Sequence, residues 1–153
     1  MPLTVECNDG VSVECCGTSL TFDPWRKNRS CSKIFITHAH YDHSKGFSFK
    51  DREKVSTGET EEIVSAYGKE INHWKPLQIG SSIKIDGLEV VAHNAGHVLG
   101  STLFDVVTPE GRVAYTGDFQ FKDSFTLKGA EPVSCDILVI ESTFGSQSFR
   151  FPQ

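Results

Sequence analysis

The sequence predicts an α+β domain that is rich in β-strands and has few helices. Two observations favour this class: nine short segments rich in β-branched and aromatic residues, and one segment with a convincing helical pattern. The chain has 153 residues, of which 38% are hydrophobic and 23% are charged, as in ordinary globular proteins. This length suffices to bury a core, so we expect one domain over residues 1–153.

The predicted strands are short, and turn-forming residues separate them. Examples of these turn signals are Asn8-Asp9-Gly10, Asp86-Gly87 and Pro109-Glu110-Gly111. The last segment, within the sequence DILVI, is apolar throughout and is therefore expected to be buried on both faces. The nine predicted strands are 4–6, 11–14, 19–22, 33–36, 82–85, 88–93, 102–107, 112–116 and 137–140.

The predicted helix lies between the fourth and fifth of these strands. Ser56, followed three residues later by Glu59, resembles a capping box at a helix start. Ile63, Val64 and Tyr67 then fall on one helical face. Many strands with so little helix predict sheets that pack against another layer.

The five cysteines contain no CxxC pair, and Cys15 and Cys16 are adjacent, which is a poor geometry for a disulfide between them. We therefore expect reduced thiols in a cytoplasmic protein, and no structural zinc bound through cysteine. No stretch approaches the roughly 20 apolar residues of a membrane helix, so we expect neither a membrane partner nor a signal peptide.

The formal net charge of −5 argues weakly against nucleic-acid binding over the whole surface. A local basic segment, PWRKNRS, nevertheless contains Arg26, Lys27 and Arg29. These residues either contact phosphates or form a solvated turn. Trp25 either stacks on a base or packs beneath the neighbouring loop.

The sequence FITHAHYDHSKG carries the strongest chemical signal. His38, His40, Asp42 and His43 follow the predicted strand 33–36, and ligands often gather at such strand ends. His38 and His40 are two residues apart in an extended chain, so their side chains can bind one ion, and Asp42 and His43 can bind a second. Imidazoles and carboxylates without thiolates suit zinc, manganese or iron.

Two further ligand-type residues also lie at strand ends. His97 stands in NAGHVLGS, where Gly96 and Gly100 permit an unusual backbone or a close approach, and Asp118 stands in YTGDF. Each residue alone is usually structural, but their occurrence in this order after the histidine cluster favours a metal site.

HAHYDH resembles the HxHxDH signature of the metallo-β-lactamase superfamily. The resemblance implies an αββα sandwich with two divalent ions, most often zinc, between the sheets. It also implies that Asp23 supports the site without binding metal, although a cap before Pro24 is equally compatible with the local sequence. By the same resemblance, one ion is bound by His38, His40 and His97, the other by Asp42 and His43, and Asp118 bridges the two.

AGHVLGS and VIESTFG resemble motifs of the β-CASP nucleases, the branch of this superfamily that processes DNA and RNA. Glu141 matches the acidic motif of that branch. DPWR and FRFP are similar to prokaryotic exonuclease-like proteins named for DNA-ligase association or mRNA 3′-end processing. The resemblance implies an exonuclease-like nucleic-acid phosphodiesterase. In such an enzyme a hydroxide that bridges two metal ions hydrolyses the phosphodiester, and Asp42 and Asp118 would be the catalytic residues.

No histidine follows His97, whereas the branch takes its last metal ligand and its proton donor from later histidines. The chain therefore resembles the N-terminal portion of such a protein, without the β-CASP insert and the returning C-terminal part. Besides the nucleic-acid substrate, we expect a homo-oligomer or pairing with the missing half. Two alternatives stay open: a thioesterase-like or lactamase-like hydrolase on the same fold, or an inert metal-binding module. His73 and His93 are expected to be surface or packing residues.

Overall fold

The computed structural model describes residues 2–27, 31 and 33–150. Within these residues, two β-sheets pack face to face, and one α-helix covers the outer side of the first sheet. The predicted α+β class, rich in strands and poor in helix, is confirmed. Arg29 lies outside the described residues.

The first sheet has six strands in chain order. The first three, β1 to β3, pair antiparallel, and β3 to β6 pair parallel. Since parallel strands end at one edge of a sheet, the loops that follow β3 and β4 emerge side by side. The strands are β1 (Thr4–Cys7), β2 (Val11–Cys15), β3 (Thr18–Phe22), β4 (Lys33–Phe35), β5 (Lys54–Ser56) and β6 (Trp74–Pro76).

The second sheet has five strands in the order β11-β10-β9-β8-β7. Its pairs are antiparallel except for β10 and β11, which run parallel and so end at the same edge. The strands are β7 (Ser82–Ile85), β8 (Leu88–Asn94), β9 (Thr102–Thr108), β10 (Gly111–Tyr115) and β11 (Ile137–Val139).

The main core lies between the sheets. The rings of Phe22 and Phe35 in the first sheet lie 5.5 and 5.3 Å from that of Phe104 in the second, and 5.1 Å from each other. All three side chains are fully buried. Aromatic pairs at these separations add to the stabilisation from burial alone. The prediction that the sheets pack against another layer is thus confirmed.

The two outer faces are covered differently. On the first sheet, Val64 of helix α1 (Gly58–Ala66) packs in one cluster with Ile34 of β4 and Ile36 just after it. Phe47, from a 3₁₀ turn over Ser44–Ser48, joins this cluster. On the second sheet, the outer face of β9 and β10 is covered by the irregular segment 119–135. Within the described ranges, this face therefore carries no helix.

The helix begins one residue later than predicted, so the assignment of Ser56 as its cap is wrong. Thr57 is the N-cap, and its hydroxyl accepts a hydrogen bond from the Thr60 N–H. Ser56 instead ends β5, where its hydroxyl accepts a hydrogen bond from Trp74 Nε1. Tyr67 is 80% exposed, so the buried face of the helix runs through Thr60 and Val64 rather than through Tyr67.

Two strands and one burial pattern were not foreseen. Strands β5 and β6 are three residues long and contain Lys54 and Pro76, which gave no strand signal. The expectation that DILVI is buried on both faces is wrong, since Leu138 is 54% and Ile140 51% exposed. Among the residues that the structure describes, β11 pairs with β10 alone and so lies at the edge of the sheet, where fewer neighbours cover its side chains.

The five cysteines are free thiols, as predicted, and none pairs with another in a disulfide. Within residues 2–27, 31 and 33–150, no helix has the length and hydrophobicity that a bilayer span requires.

Candidate metal centre

Four ligand-type side chains converge at the edge where the loops of both sheets meet. His38 and His40 follow β4, His97 follows β8, and Asp118 follows β10. One ligand atom from each lies within 4.8 Å of all the others. We call these residues the four-ligand group.

The separations within the four-ligand group fit a divalent metal ion. His40 Nδ1 lies 3.0 Å from His38 Nε2 and 3.3 Å from His97 Nε2. Asp118 Oδ2 lies 3.7 Å from His38 Nε2 and 3.5 Å from His97 Nε2. Tetrahedral coordination with bonds of about 2.0–2.1 Å places ligand atoms about 3.3–3.4 Å apart. These four distances lie within about 0.4 Å of that value, and the other two are at most 4.8 Å.

The protonation of His38 favours coordination. The Thr37 hydroxyl donates to Asp23 Oδ2 over 2.6 Å, so it can accept from His38 Nδ1–H, 3.0 Å away. This arrangement leaves the lone pair on Nε2, which faces the group. Burial, followed by the neighbouring histidines, lowers the pKa of His38 to about 2. His38 is therefore a neutral ligand at any ordinary pH.

A second and looser cluster adjoins the first through Asp118. His43 Nε2 lies 3.3 Å from Asp118 Oδ1 and 3.8 Å from Asp42 Oδ2. Asp118 thus directs one carboxylate oxygen to each cluster. The Asp42 side chain is 56% exposed, whereas that of His43 is 17% exposed. We call Asp42, His43 and the Asp118 Oδ1 atom the Asp42–His43 group.

Asp23 lies behind both clusters as a buried acceptor. Its carboxylate accepts from the Thr37 N–H (2.8 Å), from His43 Nδ1–H (2.8 Å) and from the Tyr115 hydroxyl (3.0 Å). Burial alone would lower the pKa of His43, but the hydrogen bond and the charge of Asp23, aided by Asp118 and Asp42, raise it. The bond to Nδ1 also directs His43 Nε2 toward Asp118, as carboxylates behind metal-binding histidines do.

The backbone of Asp23 has φ +46, a left-handed conformation that is uncommon outside glycine. Such a conformation costs free energy, so it persists only where several surrounding contacts hold the backbone in place. Here the contacts are the hydrogen bonds to its carboxylate and the bond from its N–H to the Phe35 carbonyl.

The loop that carries His97 is held against the start of helix α1. The hydroxyls of Thr57 and Thr60 donate to the Gly100 carbonyl over 2.8 and 3.1 Å. Gly100 has φ +76, and a Cβ there would lie 2.7 Å from Thr57 Oγ1, so the contact requires glycine. Buried Ser101 accepts from the His97 N–H over 3.0 Å, which orients the loop at the ligand itself.

Asp118 reaches the first sheet because Gly117 precedes it. Gly117 has φ +52, and a Cβ there would lie 2.8 Å from Thr37 Cβ. Glu141, which follows β11, accepts from the Phe119 N–H over 3.1 Å. Although burial would raise the pKa of Glu141, hydrogen bonds from Thr143 and Phe119 lower it. The carboxylate is therefore ionised and holds the segment next to Asp118.

The other candidate residues lie apart from these clusters. Trp25 is 48% exposed, Arg26 lies 3.8 Å from Asp9, and Lys27 pairs with Asp51 at 2.7 Å. Both described cations of the basic segment are thus already near carboxylates. His73 is exposed, and His93 lies 3.4 Å from Glu131 Oε2, outside both clusters.

Sequence reasoning missed Thr37, Ser101 and Tyr115. Thr37 directly precedes His38, and Ser101 closes the quoted AGHVLGS motif, so proximity to the motifs could have flagged both. Tyr115 reaches Asp23 from the other sheet, 92 positions along the chain. No local pattern announces that contact.

The chain matches the family described as the beta-lactamase superfamily domain over residues 14–150. It is 32% identical over 130 residues to cleavage and polyadenylation specificity factor subunit 3 of Dictyostelium discoideum, covering 79% of this chain and 16% of that protein. It is 30% identical over 156 residues to transcription termination factor FttA of Methanocaldococcus jannaschii, covering 78% of this chain and 24% of that protein.

A third relative is endoribonuclease YSH1 of Saccharomyces cerevisiae, 33% identical over 88 residues, an alignment that covers 56% of this chain and 11% of that protein. The chain thus spans at most a quarter of the length of these relatives. A solved structure, a protein of unknown function from Enterococcus faecalis, superposes with a TM-score of 0.61 at 16% identity, covering 74% of this chain and 41% of that one. This last similarity concerns the fold.

Proposed function

The chain belongs to the beta-lactamase superfamily, and on that premise we propose that it supplies the metal-binding part of a hydrolase that cleaves nucleic-acid phosphodiesters. The superfamily resemblance is confirmed by the family match, and its nuclease branch agrees with a relative named as an endoribonuclease. The convergence of His38, His40, His97 and Asp118 within 4.8 Å is the observation that carries the proposal.

In this proposal the four-ligand group holds one divalent ion and the Asp42–His43 group holds a second, with Asp118 between them. Three imidazole nitrogens and a carboxylate oxygen favour zinc, although manganese and iron accept the same donors. When bound, such ions neutralise charge on a phosphoryl group and lower the pKa of water.

The protein's own residues would divide the remaining work. Asp42, the most exposed carboxylate of the two clusters, would orient a water molecule at the mouth of the site and accept its proton. Asp23 would hold His43 in place through the 2.8 Å bond to Nδ1. Glu141 would keep the segment after Asp118 in position through the Phe119 N–H.

RNA is the substrate that the named relatives favour, because one is called an endoribonuclease and another a cleavage and polyadenylation factor. The exonuclease-like mode of cleavage and the cytoplasmic location stay predictions.

One alternative function has an observation in its favour. The Asp42–His43 group has longer separations than the four-ligand group, and its Asp42 side chain is 56% exposed. A chain that binds one ion tightly and lacks a firm second site would be an inert metal-binding module. The number of ions bound per chain separates this alternative from the hydrolase.

The test is cleavage of end-labelled single-stranded and double-stranded RNA and DNA by purified chain with added zinc or manganese. The chain is assayed alone and together with a segment that supplies the later histidines of its branch. In the second assay we expect cleavage by the wild type, loss of cleavage in Asp42→Ala, and unchanged cleavage in His73→Asn, whose exposed imidazole lies apart from the site. Unchanged cleavage by Asp42→Ala would place the activity elsewhere or in a contaminant. A wild-type chain that binds one ion and cleaves none of the substrates would favour the inert module.

We also infer that the edge of the second sheet receives a further chain segment, either the returning part of a longer protein or a second copy. Within the described part of the chain, strand β11 pairs on one side alone. The side chains of Leu138 in this strand and of Ile140 just after it are half exposed. Unpaired apolar edges favour association with another strand. If a second copy binds there, light scattering should show an oligomer for the wild type and a monomer for Leu138→Lys. A monomeric wild type would exclude the second copy and favour the returning segment.

A further inference from the structure

An open cleft of about 580 Å³ adjoins the four-ligand group and shares His40 with it. The loop that carries His38 and His40 forms one wall, and the loop that carries His97 forms another. Helix α1 and the residues after it form the third. The lining residues include His40, Tyr41, Tyr67, Lys69 and Leu99.

The walls of this cleft hold an unusual concentration of exposed hydrophobic side chains. Tyr67 is 80%, Tyr41 73% and Leu99 56% exposed. Contiguous exposed hydrophobic patches on proteins commonly mark binding sites. Tyrosine rings in addition offer flat faces on which a planar ligand can stack.

A positive charge lies at the same cleft. Lys69 Nζ is 5.1 Å from the centroid of the Tyr41 ring, a cation–π contact. Among the residues that the structure describes, no carboxylate forms an ion pair with this ammonium group. Its charge is thus available to an anionic ligand, in contrast to Lys27, which is paired with Asp51.

We propose that this cleft is a nucleobase subsite for single-stranded nucleic acid. The base of a nucleotide next to the scissile phosphate enters it, and Lys69 contacts a flanking phosphate. The inference rests on the proposed function, which puts the scissile phosphate at the metal centre. Aromatic walls, one unpaired cation and a volume within the usual range of about 300–1,000 Å³ for small-ligand pockets suit a nucleotide. A duplex keeps its bases stacked, so the strand must be single.

The test uses single-stranded oligonucleotides in which one nucleotide at a time is abasic, both as RNA and as DNA. Binding is measured by fluorescence anisotropy with zinc, in an Asp42→Ala background that prevents cleavage. One abasic position should reduce affinity about 10-fold, as loss of one stacked base does. When Tyr67→Ala is added to the Asp42→Ala background, the oligonucleotide without an abasic site should bind about 10-fold more weakly. The same abasic position should then reduce the affinity no further.

Tyr67→Phe should keep the position-specific loss, because it preserves the ring. Phe125→Ala serves as the matched control, since Phe125 is a fully exposed aromatic residue outside the cleft. Leu99→Ala repeats the test from a second wall. The proposal is overturned if no abasic position reduces the affinity for the oligonucleotide. It is also overturned if the affinity losses caused by the abasic site and by Tyr67→Ala are additive. A third contrary result is that Tyr67→Ala abolishes self-association of the chain, which would make the cleft a protein interface.

Failure of this inference can be told from failure of the proposed function. Cleavage of the labelled substrates without any position-specific abasic loss would reject the subsite and retain the hydrolase. The opposite result would be that the wild type cleaves none of the substrates, while binding still shows a position-specific abasic loss that Tyr67→Ala removes. That result would retain the subsite and reject the hydrolase.

Discussion

The four-ligand group and the Asp42–His43 group share Asp118 but differ in how firmly the protein holds them. In the first, His38 is fully buried and every ligand atom lies within 4.8 Å of the others. In the second, His43 is held by Asp23, whereas the Asp42 side chain is 56% exposed. The first group is therefore preorganised for one ion, and the second depends on a single buried carboxylate for its geometry.

This difference shows how a two-metal site can be assembled unequally. Loops from both sheets hold the four-ligand group, through Thr57 and Ser101 on one side and Gly117 on the other. The Asp42–His43 group gains its order mainly from the Asp23 hydrogen bonds. We therefore expect mutations in the two regions to affect different ions.

The largest effect should come from a direct ligand of the first group. His97→Ala should weaken zinc binding at the tighter site by more than the roughly 10- to 100-fold that loss of an outer partner costs. Isothermal titration calorimetry of metal-free chain measures this affinity. His73→Asn is the matched control, because asparagine tolerates the φ of +53 found at His73. Equal affinity in wild type and His97→Ala would remove His97 from the site.

A smaller and more selective effect is expected from Asp23→Asn. This change weakens the acceptor for His43 Nδ1–H and should lower the affinity of the second ion about 10- to 100-fold. The first ion should lose less affinity, because Asp23 reaches its ligand His38 only through the Thr37 hydroxyl. Metal competition with a chromophoric chelator resolves the two affinities. Loss of both ions together would show that Asp23 supports the whole edge of the fold, and the circular dichroism spectrum would then change as well.

The two groups should also respond oppositely to pH in the metal-free chain. The pKa of His38 is lowered to about 2, so below pH 6.5 the folded chain binds fewer protons at this residue than the unfolded chain does. The free energy of unfolding therefore decreases as the pH falls below about 6.5. At pH 5 this loss amounts to about 2 kcal/mol. The raised pKa of His43 acts the other way: its contribution is present at low pH and is lost as the pH rises through that pKa.

Urea unfolding with a chelator at pH 5 and pH 7 measures the balance between these contributions. His38→Asn should flatten the loss of stability between the two pH values. A variant with the same pH dependence as the wild type would show that His38 does not govern acid sensitivity.

The smallest expected effect concerns the basic segment next to Asp23. If Arg26 contacts a phosphate, Arg26→Ala should reduce the slope of log affinity against log salt concentration by about 1. The 3.8 Å approach of Arg26 to Asp9 competes with such a contact, so the reduction should fall below that value. An unchanged slope would assign the segment to a solvated turn. Anisotropy of a labelled oligonucleotide over a salt series makes the measurement.

Much of the fold and of the candidate site could be predicted from local patterns. All nine predicted strands have counterparts in the structure, because alternating or β-branched apolar runs between turn residues are local signals. Strands β5 and β6 escaped prediction, since three residues that include Lys54 or Pro76 carry too little pattern. The exposure of Leu138 was also missed, because an apolar run does not reveal whether its strand lies at an edge.

The sequence by itself determined the kind of site. Three histidines and an aspartate in THAHYDH, with His97 and Asp118 after later strands, indicate metal chemistry because side-chain donors and their spacing are local properties. The tertiary structure decided which side chains meet and how firmly. Tyr115 and Thr37 reach Asp23, Gly117 lets Asp118 approach, and Tyr67 joins Tyr41 at one cleft. These contacts depend on how two sheets pack against each other, and packing between distant segments leaves no mark in either segment alone.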